Sequence, residues 1–361
     1  MNLRSKNRNR AGFTLMELLI VVFITLAITA IAIPVMTPSV GERQMTESSR
    51  ALTVMLGSAR ARAIETGRPY GVMIQRFQAL PNMSTEITFA ESQAPYSGDE
   101  TGSRAYVTGG YLTYLGTPDP PPADPPGTAD ARAWSNLVRR GDLIQFNYQG
   151  HFYILGEGAV AATDLQQYFT SAPSTTAWSL ESVPAGGTPP TGGAPYQIFR
   201  QPVPAVGEPL VLPETTAIDL DGSGFVGERF TVYDTNAAAG VQDPDPITIM
   251  FGPSGAVAYI YRRADIDLGT GVTMRVVAVR PTGPIHLLLG KREFIGGNPA
   301  PAAGEPANNW QDLSNRWVTI FPQSGLITSS EMAPVDPAAA VDAQLTASRQ
   351  FALEGRSMGG R

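Results

Sequence analysis

The sequence predicts an α+β fold. A long, kinked N-terminal helix packs on a β-rich, antiparallel globular domain with long Pro/Gly loops, and a short C-terminal helix closes the chain. Three observations predict it. Residues 13–36, FTLMELLIVVFITLAITAIAIPVM, are apolar apart from three Thr and Glu17. Apolar residues then recur at helical spacing as far as residue 63. Beyond residue 69 the chain turns into short runs rich in Val, Ile, Tyr and Phe, punctuated by Gly and Pro, which is the pattern of strands and turns.

The first twelve residues, MNLRSKNRNRAG, carry Arg4, Lys6, Arg8 and Arg10 and no acid, in a chain whose net charge is −6. As a helix, residues 13–36 would be about 36 Å long, enough to cross a bilayer core. With the basic flank first, the N-terminus stays cytoplasmic and the rest is exported. A removable secretory signal would need a shorter apolar core and a small-residue cleavage site, which Pro34-Val35-Met36 does not offer. A plain anchor leaves Glu17 unexplained. An ionisable group in a membrane helix costs about 3 kcal/mol at the bilayer centre and is by default a functional candidate.

Pro34, Pro38 and Gly41 come next. Proline lacks an amide donor and collides with the preceding turn, so a kink or local melting is expected at Pro34 and Pro38. Met45, Leu52, Leu56, Ala59 and Ala63 then fall on one helical face. Arg43, Arg50, Arg60 and Arg62 lie largely elsewhere and read as a solvated face. Thr66-Gly67-Arg68-Pro69 stops the helix. The resulting division is a leader at 1–12, a membrane or assembly helix at 13–36 and an amphipathic half at 37–66. A globular domain at 67–335 and a C-terminal helix and tail at 336–361 follow.

Strands are expected at 70–77, 85–90, 105–115, 142–155, 195–200, 208–220, 246–251, 256–262, 272–280, 285–289 and 316–322. The Pro- and Gly-rich stretches 116–130, 182–195 and 296–309 read as surface insertions. Asp336 as N-cap, Pro337 at the first helical position and Gly355 beyond the last turn frame a helix at 337–354. Val341, Leu345 and Phe351 form its apolar stripe.

Composition excludes several chemistries. With no Cys there is no disulfide scaffold, thiol nucleophile or Cys-based metal site. Two His, His151 and His286, rule out a multi-His metal centre, and both read as structural strand residues. The acidic balance argues against a nucleic-acid partner. No phosphate-binding, dinucleotide, nucleophile-elbow or zinc-protease motif is present, so no catalytic residue is assigned. Asp219-Leu220-Asp221-Gly222-Ser223-Gly224 opens like a calcium loop, making Asp219 and Asp221 the metal candidates. The twelfth position is Phe230 where an EF-hand needs an acid, so an Asx turn between strands is the preferred reading, with no cofactor.

Arg10-Ala11-Gly12-Phe13-Thr14-Leu15-Met16-Glu17-Leu18-Leu19-Ile20 resembles the class III signal of type IV prepilins and type II secretion pseudopilins. The resemblance implies cleavage between Gly12 and Phe13 by a prepilin peptidase and methylation of the new Phe13 amine. Glu17 becomes the fifth residue and Pro34 the twenty-second, where many pilins also carry Pro. It further implies that Glu17 meets the N-terminal amine of a neighbouring subunit in a fibre, since a lone buried carboxylate is costly.

The stretch from Leu56 to Val72, LGSARARAIETGRPYGV, resembles the helix-to-strand passage of GspH/FimT-type minor pseudopilins. Ile247–Gly255, ITIMFGPSG, and Arg316–Leu326, RWVTIFPQSGL, are similar to two strand–turn elements of the same group. The chain is thereby identified with a structural, non-enzymatic minor pseudopilin of a type II secretion or type IV pilus-like machine. Its expected partners are the peptidase, other pilins or pseudopilins and an inner-membrane assembly platform. Its expected place is the inner membrane with a periplasmic domain, then the fibre. The alternatives are a major pilin and a signal-anchored periplasmic binding protein or enzyme.

Overall fold

A computed structural model describes residues 15–98, 101–108, 111–116, 139, 141–156, 178–183, 188–190, 192–225, 227–231, 245–267, 272–297, 301 and 305–358, with the backbone alone at 30–40, 355–358 and some strand positions. The leader, Gly12 and Phe13 fall outside these residues, as do 117–130 and parts of the other two expected insertions.

Helix α1 (Leu15–Thr66) comes first. The strands follow as β1 (Tyr70–Gln75), β2 (Met83–Ser84), β3 (Glu86–Glu91), β4 (Arg104–Thr108), β5 (Tyr111–Gly116), β6 (Leu143–Phe146), β7 (Phe152–Gly156), β8 (Trp178–Val183), β9 (Gly192–Ala194) and β10 (Tyr196–Phe199). Next come β11 (Val203–Pro204), β12 (Leu210–Val211), β13 (Thr216–Phe225), β14 (Glu228–Arg229), β15 (Ile247–Phe251), β16 (Val257–Asp267), β17 (Val272–Val279), β18 (Ile285–Lys291), β19 (Arg316–Phe321) and β20 (Leu326–Glu331). Helices α2 (Val341–Ser348) and α3 (Gln350–Met358) end the described chain.

The strands form three sheets. The first runs β11-β3-β1-β15-β16-β17 with β12 also on β3. The second runs β14-β13-β18-β19-β20 with β2 also on β13, and the third runs β10-β6-β7-β8-β5-β4-β9. Every pairing among the described strands is antiparallel, as expected.

Strand periodicity explains the layering. Leu287 and Leu289 of β18 join a core with Val318 and Ile320 of β19, Val72 and Ile249 of the first sheet, and Leu52, Leu56, Ala59 and Ala63 of α1. Between them, Leu288 and Trp317 point to the opposite face, where they meet Leu345 of α2 and Ala352 of α3. The second sheet is therefore covered on both sides, and β18 reads as a continuous apolar run, buried at all positions but its last.

The third sheet arises between β3 and β11 and has its own core, including Leu112, Ile144, Phe146, Leu155, Tyr196 and Ile198. Asp142 fastens this excursion at its root. Its carboxylate accepts from the backbone N–H of Arg139 at 2.7 Å and of Gln201 at 3.0 Å. Burial raises the Asp142 pKa to about 6, against the pull of these two bonds.

Several expectations change in detail. The helix assignment passes through Pro34 and Pro38 without a break, so local melting there is not found. The expected strand 142–155 is a hairpin of β6 and β7, turned at Asn147 and Tyr148, both with left-handed φ near 55° (54° and 56°). His151 consequently sits exposed beside the turn and not within a strand. The stretch 105–115 likewise divides into β4 and β5, and 208–220 into β12 and β13. Part of 182–195 is strand, in β8 and β9.

The expected helix 337–354 begins late and is interrupted. The Asp336 carboxylate accepts from the N–H of Ala338, closing a turn, so Ala340 takes the N-cap position of α2. Gln344 donates to the carbonyls of Pro337 and Ala339 and so satisfies the turn that precedes the helix. Gly355 does not stop α3, which runs to Met358. Of the expected stripe only Leu345 is buried; Val341 and Phe351 are exposed, and Ala352 takes the inner position.

Candidate assembly helix

Helix α1 has 52 residues, so it is about 78 Å long. Its two ends lie in different surroundings. From Leu15 to Thr29 every side chain is exposed, including Leu15 at 83%, Phe23 at 71% and Leu26 at 64%. The two hydroxyls within this stretch are turned onto the helix backbone. Thr25 donates its hydroxyl to the carbonyls of Val21 and Val22 at 3.0 and 2.9 Å, and Thr29 donates to Thr25 at 2.7 Å. Neither hydroxyl needs an outside partner, which suits a helix whose surroundings are apolar. Glu17 lies in the first turn and is exposed. Among the described residues, no helix is long and apolar enough to cross a membrane. Side chains of the apolar run are described as far as Thr29, while the run itself continues to residue 36.

The second half is docked. All five residues of the expected stripe, Met45, Leu52, Leu56, Ala59 and Ala63, are buried, and Met55 joins them. Gln44 accepts from the Thr215 hydroxyl at 2.7 Å. Gly67, with φ of 64°, supplies the left-handed residue that ends the helix, and Pro69 prevents its resumption.

The arginines do not all form a solvated face. Arg43 and Arg50 are exposed as expected. Arg62 is exposed too, while it donates to the Tyr70 hydroxyl at 2.7 Å and lies over the rings of Tyr70 and Phe89 at 5.4 and 5.1 Å. Arg60 reaches two turns. Its Nε donates to the Gly255 carbonyl and its Nη2 to the Ser324 carbonyl, both at 3.1 Å. These turns end the sequence elements FGPSG and FPQSG, one after β15 and the other after β19. They are so close that a Cβ on Gly325 would lie within van der Waals overlap of the Gly255 carbonyl. Gly255 and Gly325 also have left-handed φ of 80° and 63°. Arg60 thus fastens the helix to both sheets at the point where they meet. Sequence reasoning missed this because the two acceptors are 195 and 264 residues away.

Asp219 and Asp221 are the metal candidates of the sequence. They lie in a bulge within β13, where the pairing with β18 shifts between Asp219 and Gly224. Asp219 accepts from the N–H groups of Asp221 and Gly222 at 3.0 and 3.2 Å and from Asn309 Nδ2 at 2.9 Å. The first bond is an Asx turn, within a strand rather than between two. Burial raises the Asp219 pKa to about 6. Among the described residues no group of three or more His, Asp or Glu could hold a metal ion. His286, buried in β18, shares a 2.9 Å hydrogen bond with Thr319 and meets Trp317 edge-on. Burial first, then the charge of Arg349, lowers its pKa to about 3. It is a neutral packing residue.

Comparison with known families bears on the N-terminus. A family model described as the prokaryotic N-terminal methylation motif matches residues 7–33. No curated protein matches the chain, and no solved structure matches it. The match spans the end of the basic leader with Arg8 and Arg10, then Gly12, Phe13, Glu17 and the exposed part of α1. It supports a type IV pilin-like protein, processed by a prepilin peptidase and assembled with other pilins; proteins of this class are structural rather than enzymatic.

Proposed function

We propose that this chain is a minor pseudopilin, closest in kind to the GspH/FimT type, of a type II secretion or type IV pilus-like fibre. The match to the methylation motif at residues 7–33 carries the reading. In this reading the chain is inserted through residues 13–36 with its N-terminus cytoplasmic and its sheets periplasmic. The peptidase removes 1–12 between Gly12 and Phe13 and methylates Phe13. An inner-membrane platform then extracts the subunit, and its apolar helix passes from lipid to a bundle of similar helices.

The exposed apolar surface of α1 supports this. A helix face whose large apolar side chains from Leu15 to Ile28 are exposed is costly in water and stable in lipid or among other helices. Glu17 would pair with a neighbour's N-terminal amine, setting the axial register. Pro34 and Pro38 would let the helix bend between bundle and globular domain. The third sheet gives the domain a second core beyond the one that holds α1, a bulk better suited to a subunit used sparingly than to one repeated at close spacing.

Mass spectrometry of the native polypeptide tests this. The expected N-terminus is Phe13 carrying one methyl group. A retained leader would overturn the reading in favour of a signal-anchored periplasmic protein, and a high copy number in purified fibres would favour a major pilin.

A further inference from the structure

Where α1 meets the globular domain, a cleft of about 790 Å³ opens between Gly41, Glu42 and Met45 of the helix and three other segments. The turn between β1 and β2 contributes Leu80, the end of β18 and the turn after it contribute Lys291 and Arg292, and the loop before β19 contributes Ser314. Gly41 follows the apolar run 13–36 by five residues, about 8 Å along a helix. The cleft therefore marks the end of the domain from which the apolar half of α1 emerges.

Two of these segments expose large apolar side chains. Phe77 is 36% exposed, Leu80 46% and Leu313 59%. The Leu80 N–H donates to the Phe77 carbonyl at 3.0 Å, so the first two stand on one tight turn. Cations lie over rings at the same end, Arg292 over Phe77 at 5.2 Å and Lys291 over Phe294 at 5.4 Å. Lys291 also pairs with Asp312 at 2.8 Å, and Glu42, Glu214 and Glu293 share the cleft. With acids and bases mixed in this way, the face is no basic patch that would single out anionic lipid.

We propose that this face rests on the surface of the bilayer that α1 crosses. Phe77, Leu80 and Leu313 enter the headgroup layer, and Lys291 and Arg292 keep their stems on apolar surface and their charges among the lipid phosphates. Rings, aliphatic side chains and cations all find suitable surroundings at that depth, whereas the apolar groups gain nothing from water. The inference rests on the reading above, in which residues 13–36 lie in lipid before the subunit is extracted. A bend at Pro34 and Pro38 would bring the face down onto the headgroups. The contact sets the tilt of the domain on the membrane and is given up on extraction.

The chain has no Cys, so single fluorescent labels can be placed cleanly. The processed, full-length chain is labelled at Ala79→Cys, exposed in the turn 77–80, and reconstituted in phosphatidylcholine vesicles containing headgroup-nitroxide lipid. Glu65→Cys, exposed about 36 Å beyond Gly41 along α1, is the distant control. Phe23→Cys with acyl-chain nitroxide reports on the apolar run itself. Strong quenching is expected at 79, little at 65, and strong quenching at 23. Leu80→Gln combined with Leu313→Gln should lower quenching at 79 to the level seen at 65, with the unfolding temperature unchanged because both side chains are exposed. Quenching at 23 without quenching at 79 would overturn this inference and leave the membrane helix standing; no quenching at 23 would overturn both. Equal quenching at 65 and 79, or quenching at 79 that the double variant leaves intact, would also overturn it. So would a label at 79 that is free in vesicles and becomes shielded only in fibres, which would assign the face to a neighbouring subunit.

Discussion

The apolar side chains of the two halves of α1 meet opposite fates. Between Leu15 and Ile28 the large apolar side chains are 45–83% exposed, whereas Leu52, Leu56, Ala59 and Ala63 are fully buried. The difference lies in composition and arrangement. The second half concentrates its apolar groups on one stripe, so two sheets can cover it and leave Arg43, Arg50 and Glu47 in solvent. The first half is apolar all round, and no single sheet could cover it. Such a helix needs an environment that is apolar on every side, either lipid or a bundle of like helices. Burial therefore follows from the period of the pattern, and the period already separates contacts within the chain from contacts with others.

The comparison is broken most directly from the docked side. Leu56→Ala removes a fully buried side chain from the core shared by α1 and two sheets, and should cost about 2–5 kcal/mol of unfolding free energy. Denaturant unfolding of the processed chain in detergent, followed by Trp fluorescence, would measure it. A change below about 0.5 kcal/mol, the range of an ordinary surface substitution, would mean that α1 is not integral to the core.

A smaller effect is expected from Arg60→Gln. Two bonds to the carbonyls of Gly255 and Ser324 are lost or weakened, at about 1–3 kcal/mol together. Limited proteolysis should then cut sooner at the turns 252–255 and 322–325, because Arg60 no longer holds them to the helix. Unchanged cleavage at these turns would show that the contact between Gly255 and Gly325 suffices without it.

These two residues also show what could be read from sequence. Leu56 was legible because its partners on the stripe lie three to seven residues away and repeat. Strands β1, β15, β18 and β19 were legible for a related reason, being runs of Val, Ile, Leu and Phe bounded by turn residues. Arg60 was not, because its role depends on two loops brought together only by the fold. Strand β20 was missed because it lies at the sheet edge and reads LITSSE, with Ser and Glu on the solvated side. The hairpin at Asn147 and Tyr148 reads as one strand in the sequence because Tyr is not a usual left-handed turn residue. The third sheet's independent core was hidden by the Pro-rich composition around it. By contrast the motif matched at residues 7–33 was legible at once, since it lies in one short stretch and does not depend on distant residues.

The smallest effect on folding, and the sharpest test of the contrast, is expected at Glu17. Glu17→Ala should change the unfolding free energy by no more than about 0.5 kcal/mol, because the side chain is exposed in the half of α1 that no sheet covers. Membrane insertion and removal of 1–12 should also proceed. What should fall is recovery of the chain in sheared fibre material, since the proposed bond to a neighbouring amine is lost. Leu19→Ala, at another exposed position two residues on, serves as the control. If both variants assemble equally well, shape alone holds the helices together and the acid sets no register. If both assemble equally poorly, apolar packing dominates and Glu17 again has no distinct part. Only selective failure of Glu17→Ala separates a charge that positions a subunit from a surface that merely keeps it out of water.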